Sequence, residues 1–246
     1  MYKPETREEE EFLKNYNPSK YEKPSVTADV VIFTVNERNK LSVLLIKRRG
    51  YPYKDHWAIP GGFVNMDESI DDAAKRELEE ETHLSGIDVV QFGSFGDVDR
   101  DPRMRVISIA YLALIPKESL KAEAGDDACD AQVFEIKQTI DGIGLIGDRN
   151  LLTEKDLAFD HAKILKTAIK RLFNRIEYMD DAFALLKDDQ SFTIQELKKV
   201  YESVLNATLD LANFHRDFNR KYVQTGLVVE TGEVGARSAK LYRKIK

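Results

Sequence analysis

Three glutamates, Glu77, Glu80 and Glu81, stand three and four residues apart in a segment free of glycine and proline. On a helix that spacing places their carboxylates on one face. Like charges so arranged repel and weaken the helix that carries them. A hard dication removes the penalty, because Mg²⁺ (or Mn²⁺) takes carboxylate oxygens together with phosphate oxygens and water. Arg76 adjoins them, and its planar fork can orient a glutamate through two parallel charge-assisted bonds. Gly61 and Gly62 allow a backbone turn to sit close to such a helix and its ligand. Ile70, Ala74 and Leu78, at i, i+4 and i+8, give the opposite face a route into a core. Taken alone, the glutamates also read as a merely solvated acidic face. The full spacing, Gly62-x5-Glu68-x7-Arg76-Glu77-Leu78-x-Glu80-Glu81, separates the two readings.

The elements around this segment must hold it in place. Residues 1–25 are charged and punctuated by Pro4, Pro18 and Pro24, and read as a tail or a peripheral helix. Thr27–Val35 and Leu41–Lys47 are rich in β-branched and aliphatic residues and predict two strands joined by a polar turn. Pro60-Gly61-Gly62 breaks any helix, and Ser69–Thr82 is the acidic helix itself, with Asp67 or Ser69 as its cap. Val89–Phe95, Arg105–Ile115 and Gln132–Ile136 are further strands. The glycine-bearing stretch Lys137–Asp156 is long for a connector and reads as a small hairpin or a functional loop. Phe159–Arg175 carries a helix-period stripe of Ile164, Leu165, Ala168, Ile169 and Leu172.

The pattern changes near Arg175, which predicts one domain over 26–175 and a second over 176–246. Thr193-Ile194-Gln195-Glu196 matches a capping box opening a helix through Leu205. Leu209–Gln224 predicts a second helix with Leu211, Phe214, Phe218 and Val223 as its apolar face. Strands at Leu227–Glu230 and Lys240–Lys244 would follow. Helix, helix and hairpin is the outline of a winged helix-turn-helix, with the second helix as the recognition element. Asn213, His215, Arg216, Asn219, Arg220 and Lys221 lie mostly off its apolar stripe and suit base edges and phosphates. Arg237, Lys240 and Arg243 would arm the wing.

Charge supports that division. The chain carries −6 overall, yet Leu211–Lys246 has 8 Lys/Arg against 3 Asp/Glu, so a +5 segment is attached to a −11 body. The two ends therefore face different partners, although a module that only packs or supports dimerisation is the alternative. A single cysteine, Cys129, excludes an internal disulfide and a cysteine-based zinc cluster, and the four histidines are scattered, so any metal is expected on oxygen. No run approaches the ~18–20 apolar residues of a membrane span. Met1–Glu11 lacks an apolar signal core, so a cytoplasmic protein without membrane partners is expected.

The spacing from Gly62 to Leu84 resembles the box of the Nudix family, whose members hydrolyse a nucleoside diphosphate linked to another moiety. The resemblance implies an α/β fold, an α/β/α sandwich with a mixed sheet, in which Glu77, Glu80 and Glu81 bind the metal while Glu68 and Arg76 brace the loop and helix. One departure is His83, where the family usually has a glycine that ends the helix at positive φ, a geometry His adopts more readily than a β-branched residue would. The general base stays open among Asp97, Asp99, Asp126, Asp127 and the box itself.

Further segments, His56–Val64, Asp99–Ser108, Gly125–Ala128 and Leu157–His161, together with a winged helix, look like the group holding ADP-ribose pyrophosphatases and Nudix-related transcription regulators. By that resemblance Gly62, Arg100, Arg103 and Arg105 would meet the ligand's diphosphate or ribose, though the arginines also read as ordinary surface residues. Trp57 would line the pocket or fill the core. The implied functions are hydrolysis of ADP-ribose to AMP and ribose 5-phosphate, or ligand sensing in a regulator of NAD or pentose metabolism that reads a palindromic operator as a homodimer. A hydrolase of damaged nucleotides is the third.

Overall fold

A computed structural model of the chain describes residues 2–120, 128–139, 142–148, 150–229 and 238–245. A first helix, α1 (Arg7–Asn15), is capped by Thr6, whose side chain accepts from the Glu9 N–H, and it buries none of its residues. The peripheral-helix alternative for the N-terminal segment is the one that forms.

Strand β1 (Ser25–Val35) is the centre of the main sheet, and Ala28–Thr34 are buried without interruption. That is how a strand covered on both faces reads. It runs antiparallel to β2 (Leu41–Arg48), which in turn pairs with the short β3 (Trp57–Ala58). On the same strand β4 (Gly61–Phe63) lies antiparallel, with Asp29 opposite Gly61 and Ala28 opposite Gly62. The acidic helix, α2 (Ile70–Thr82), leads to β5 (Val89–Phe95) and β6 (Val106–Leu114), and β6 lies parallel to β1. Beyond β2 come β7 (Ala128–Thr139), β8 (Gly142–Ile146) and β9 (Leu151–Leu152). The spatial order is β5-β6-β1-β2-β7-β8-β9, a mixed sheet. The glycine-bearing stretch is therefore the hairpin rather than a loop.

Alternation along β1 sorts the two layers. Ala28, Val30 and Ile32 pack with Ala73, Ala74 and Leu78 of α2. Val31 and Phe33 face the other way, toward α3 (His161–Arg175) and its Ile164, Leu165, Ala168 and Leu172. The sheet is thus sandwiched between α2 and α3, as the resemblance implied.

The C-terminal part contains β10 (Phe192–Thr193), α4 (Ile194–Leu205), α5 (Leu211–Phe218), β11 (Tyr222–Val229) and β12 (Ala239–Lys244), with strand order β10-β12-β11. The capping box is present: Thr193 accepts from the Glu196 N–H while Glu196 accepts from the Thr193 N–H at 2.7 Å. The second helix is shorter than its periodicity predicts. Asp210 starts it, and it ends at Phe218 because Tyr222 is drawn into the sheet and buried edge-on against Phe192 and Tyr242. Tertiary pairing overrides local helix period here.

The two parts share one core. Ile176, Ala182, Phe183 and Leu185 continue the α3 layer into Phe192, Leu197, Tyr201 and Phe214. At the joint Arg175 makes two contacts to Asp181, Nε–Oδ2 at 2.6 Å and Nη2–Oδ1 at 3.0 Å, Lys244 reaches Asp180 at 3.2 Å, and Ser203 Oγ donates to the Asn39 carbonyl at 2.6 Å. Phe183 is 2% exposed and packs on Phe192, with ring centroids 5.7 Å apart. Phe183→Ala should cost ~3–5 kcal/mol, the usual loss for a buried aromatic, read as a lowered denaturant midpoint with an unchanged slope.

Candidate functional site

Helix α2 is built to hold acids at a fixed place. Ser69 caps it by accepting from the Asp72 N–H at 3.1 Å. It ends at His83, whose φ of 55° is left-handed and whose N–H reaches the Glu79 carbonyl at 2.7 Å. The histidine thus takes the geometry for which glycine would be usual. Arg76 ties the preceding loop to the helix. Its Nη2 and Nε donate to the two oxygens of Glu68 at 2.8 and 3.1 Å, Nη2 also reaches the Phe63 carbonyl at 3.2 Å, and Nη1 contacts Glu77 at 2.7 Å and Glu80 at 3.3 Å. The Arg76 fork, with the Asn65 N–H, holds the Glu68 carboxyl down at about 2. Burial pushes Glu77 up to about 7, against the pull of Arg76.

Glycine is required opposite that carboxylate. A Cβ on Gly62 would lie 2.2 Å from Glu77 Oε1, and one on Gly61 would lie 2.5 Å from the Ala28 carbonyl. The Pro-Gly-Gly turn therefore lets β4 run between β1 and the acidic helix.

Gly62, Glu77, Glu80 and Glu81 line one cavity of about 710 Å³ together with Arg100 and Arg103. Among the described residues no three acids or histidines are already gathered around one point that could enclose a cation. The glutamates stand instead along an open wall, an all-oxygen set suited to a hard dication that keeps water and phosphate among its ligands. Glu68, through Arg76, is placed as their brace.

The arginines divide. Arg100 is 7% exposed and grips Asp160 with Nη2 at 2.7 Å and Nε at 3.1 Å, with Asp29 3.6 Å away. Arg103 pairs with Asp101 at 2.8 Å and lies over the rings of Phe63 and Phe159 at 5.6 and 5.8 Å. Arg105 does not join them. It turns away to donate to the Asp97 carbonyl at 2.9 Å. Trp57 also lies elsewhere: it is 4% exposed in the core, edge-on to Phe134, while Ala58 and Ile59 beside it line the cavity. Of the candidate bases, Asp97 is paired with Lys163 at 2.6 Å and Asp99 is exposed, both off the cavity wall. Asp126 and Asp127 lie outside the described residues.

Among the cavity residues to which the sequence reading gave no role are Asp29, Phe159 and His161. Asp29 is buried in β1, accepts from the Ser108 hydroxyl, and is pushed up to about 6 by burial despite Arg100. Phe159 and His161 stand at the start of α3. A lone acid within an apolar strand was the available signal for the first.

On the C-terminal part Asn213, His215, Arg216, Asn219, Arg220 and Lys240 are exposed. Asn219 and Arg220 follow α5 rather than belonging to it. His215 is tied to the Tyr222 hydroxyl at 2.8 Å, and Arg216 to Asp217 at 3.0 Å. Lys221 is placed apart from these. Because the chain turns into β11 just after Phe218, its ammonium points inward and donates to the Met179 carbonyl at 2.5 Å. Arg237 lies outside the described residues.

Two family models match separate stretches of the chain. The model of the NUDIX domain matches residues 24–154, and that of the NrtR DNA-binding winged helix domain matches residues 182–244. The chain belongs to the Nudix family. Its Nudix domain is followed by an NrtR-type winged helix. The chain is 33% identical to the ADPR responsive transcriptional repressor NtrR of Acinetobacter baylyi, over 96% of this chain and 88% of that protein. It is 38% identical to the ADP-ribose pyrophosphatase of Methanocaldococcus jannaschii, over 59% of this chain and 73% of that one. A MutT/nudix family protein from Enterococcus faecalis superposes with a TM-score of 0.79 at 33% identity, covering 96% and 92% of the two chains. Shewanella oneidensis NrtR complexed with a 27mer DNA superposes with a TM-score of 0.68 at 25% identity, covering 89% and 93%. Nudix enzymes generally use divalent metals, and the donor set on α2 fits one. Among the described residues no helix is long and apolar enough to cross a membrane.

Gly62→Ala should drive the Glu77 carboxylate from its place. Mn²⁺ binding, followed by calorimetric titration, is expected to weaken about tenfold, as when outer support of a ligand is lost. An unchanged titration would show that Glu77 does not hold metal in this position.

Proposed function

We propose that this protein is an ADP-ribose-responsive DNA-binding regulator whose Nudix domain also hydrolyses ADP-ribose to AMP and ribose 5-phosphate. One observation carries the reading: Arg76, Glu77, Glu80 and Glu81 line a cavity, with Glu68 bracing them through Arg76, in a chain that shares its core with a winged helix. Similarity along nearly the whole chain to a repressor named for its response to ADPR, and over the Nudix part to an ADP-ribose pyrophosphatase, supports both halves.

In this reading Glu77, Glu80 and Glu81 hold Mg²⁺ or Mn²⁺, and Arg76 keeps their carboxylates in register with the loop through Glu68. A bound dication supplies polarisation of the pyrophosphate oxygens and activation of the attacking water. Water adds to one phosphorus, the bridging P–O bond breaks, and the bridging oxygen leaves with the other phosphate. Arg103, exposed in part and stacked between two rings, meets the diphosphate or ribose. Arg100, already engaged by Asp160, shapes the wall beside it. With Mg²⁺, the purified protein should release AMP from ADP-ribose, and Glu81→Gln should lower the rate at least a hundredfold, a loss of about 2.7 kcal/mol in transition-state stabilisation. Absence of turnover in the wild type would remove the hydrolase half and leave the sensor.

For the regulator half, Asn213, Arg216, Asn219, Arg220 and Lys240 meet DNA, and a homodimer presents two such surfaces to a palindromic operator. Retention of fragments flanking the gene should fall steeply with salt. Arg220→Ala should weaken it, and ADP-ribose should modulate it. Fragments never retained at low salt would refute this half while leaving the hydrolase intact.

A further inference from the structure

His161, the first residue of α3, is 5% exposed, yet its ring lines the cavity. Its Nδ1 lies 2.9 Å from the backbone nitrogen of Ile59. A backbone N–H can only donate, so Nδ1 must carry the lone pair and the ring proton must sit on Nε2. Among the described residues, Ile59 is the hydrogen-bond partner of this ring. The Nε2–H is therefore a donor with no acceptor among the described residues, on a side chain more than nine-tenths buried, at the wall of a cavity.

The ring is also fixed. Ile59 is anchored in the main core, Phe159 packs at 5.4 Å between centroids, and Asp160 next to it is gripped by Arg100. Burial, with Arg100 and Arg48 nearby, pulls the imidazole down to about 3 and keeps it neutral. The guanidinium groups of the same cavity are the cations available to a diphosphate, which leaves the neutral Nε2–H to the ligand's remaining acceptors. This nitrogen is not among the sealed-off polar atoms, so water in the cavity can reach it, and a ligand that displaces the water without offering an acceptor leaves the donor unsatisfied at a cost.

We propose that His161 is a ligand-binding residue that donates its Nε2–H to an uncharged acceptor, a sugar oxygen or a base nitrogen, of the nucleotide in the cavity. It thereby selects ligands that carry an acceptor at that point. The proposal rests on the reading of the cavity as an ADP-ribose site.

The test uses the full chain with Ca²⁺ in place of Mg²⁺, ADP-ribose as probe, and AMP and ribose 5-phosphate as half-ligands. Nitrogen NMR of labelled histidine should show a bare Nδ1 and a protonated Nε2, and ADP-ribose should shift the Nε2 signal. A shift with AMP alone places the acceptor on the adenosine half, and one with ribose 5-phosphate alone places it on the terminal ribose. His161→Asn keeps an oxygen for the Ile59 N–H but has nothing at the Nε2 position, so its ADP-ribose Kd should rise about tenfold. Wild-type binding with an unmoved Nε2 signal and an unchanged Kd in His161→Asn would overturn the role of His161. No binding by the wild type would overturn the ADP-ribose reading itself. Should His161→Asn fail to fold, the wild-type Nε2 signal decides alone.

Discussion

Arg76 offsets the mutual repulsion of the acids on the helix that carries it. Glu68, Glu77 and Glu80 all lie within its reach, and each contact is charge-assisted. Without it the carboxylates of one helical turn would repel and Glu77, already penalised by burial, would face a still less favourable setting. The same guanidinium binds the Phe63 carbonyl, so the loop after β4 is positioned by the residue that organises the acids. Loop, helix and cavity wall are consequently one unit. The absence of a Cβ at Gly62 completes it by letting backbone and carboxylate approach.

Much of this unit was legible because its residues act through short sequence separations. The spacing from Gly62 to Glu81, the Ser69 cap and the left-handed exit at His83 are local matters of helix geometry and backbone freedom. The capping box of α4 was legible for the same reason. What stayed open or came out differently depended on distant partners. Trp57 alternates into the core because β3 pairs with β2 and Phe134 waits beneath it, neither of which its neighbours in sequence reveal. Lys221 and the true end of α5 are decided by a sheet formed with Phe192 and Tyr242. Asp29 and His161 were hidden for a related reason: their partners Ser108, Arg100 and Ile59 come from other elements.

The buried charges form a second unit opposite the first. Asp29, Arg100 and Asp160 are drawn from β1, the segment before β6 and the start of α3. A buried ion group of this kind contributes little net stability, because desolvation offsets its attraction. Its effect is positional: it fixes how the segment carrying Arg103 sits against α3. The cavity is thus walled on one side by acids organised by Arg76 and on the other by a cation organised by acids.

Helix α3 begins at that second wall and ends at the joint. Its first turn holds His161 beside Asp160, and its last residue, Arg175, is pinned to Asp181. Fifteen residues of helix span ~22 Å and resist compression along their axis. The element therefore has the mechanics of a strut. The cavity wall and the Arg175–Asp181 pair at the joint are thus the two ends of one helix, held a fixed distance apart.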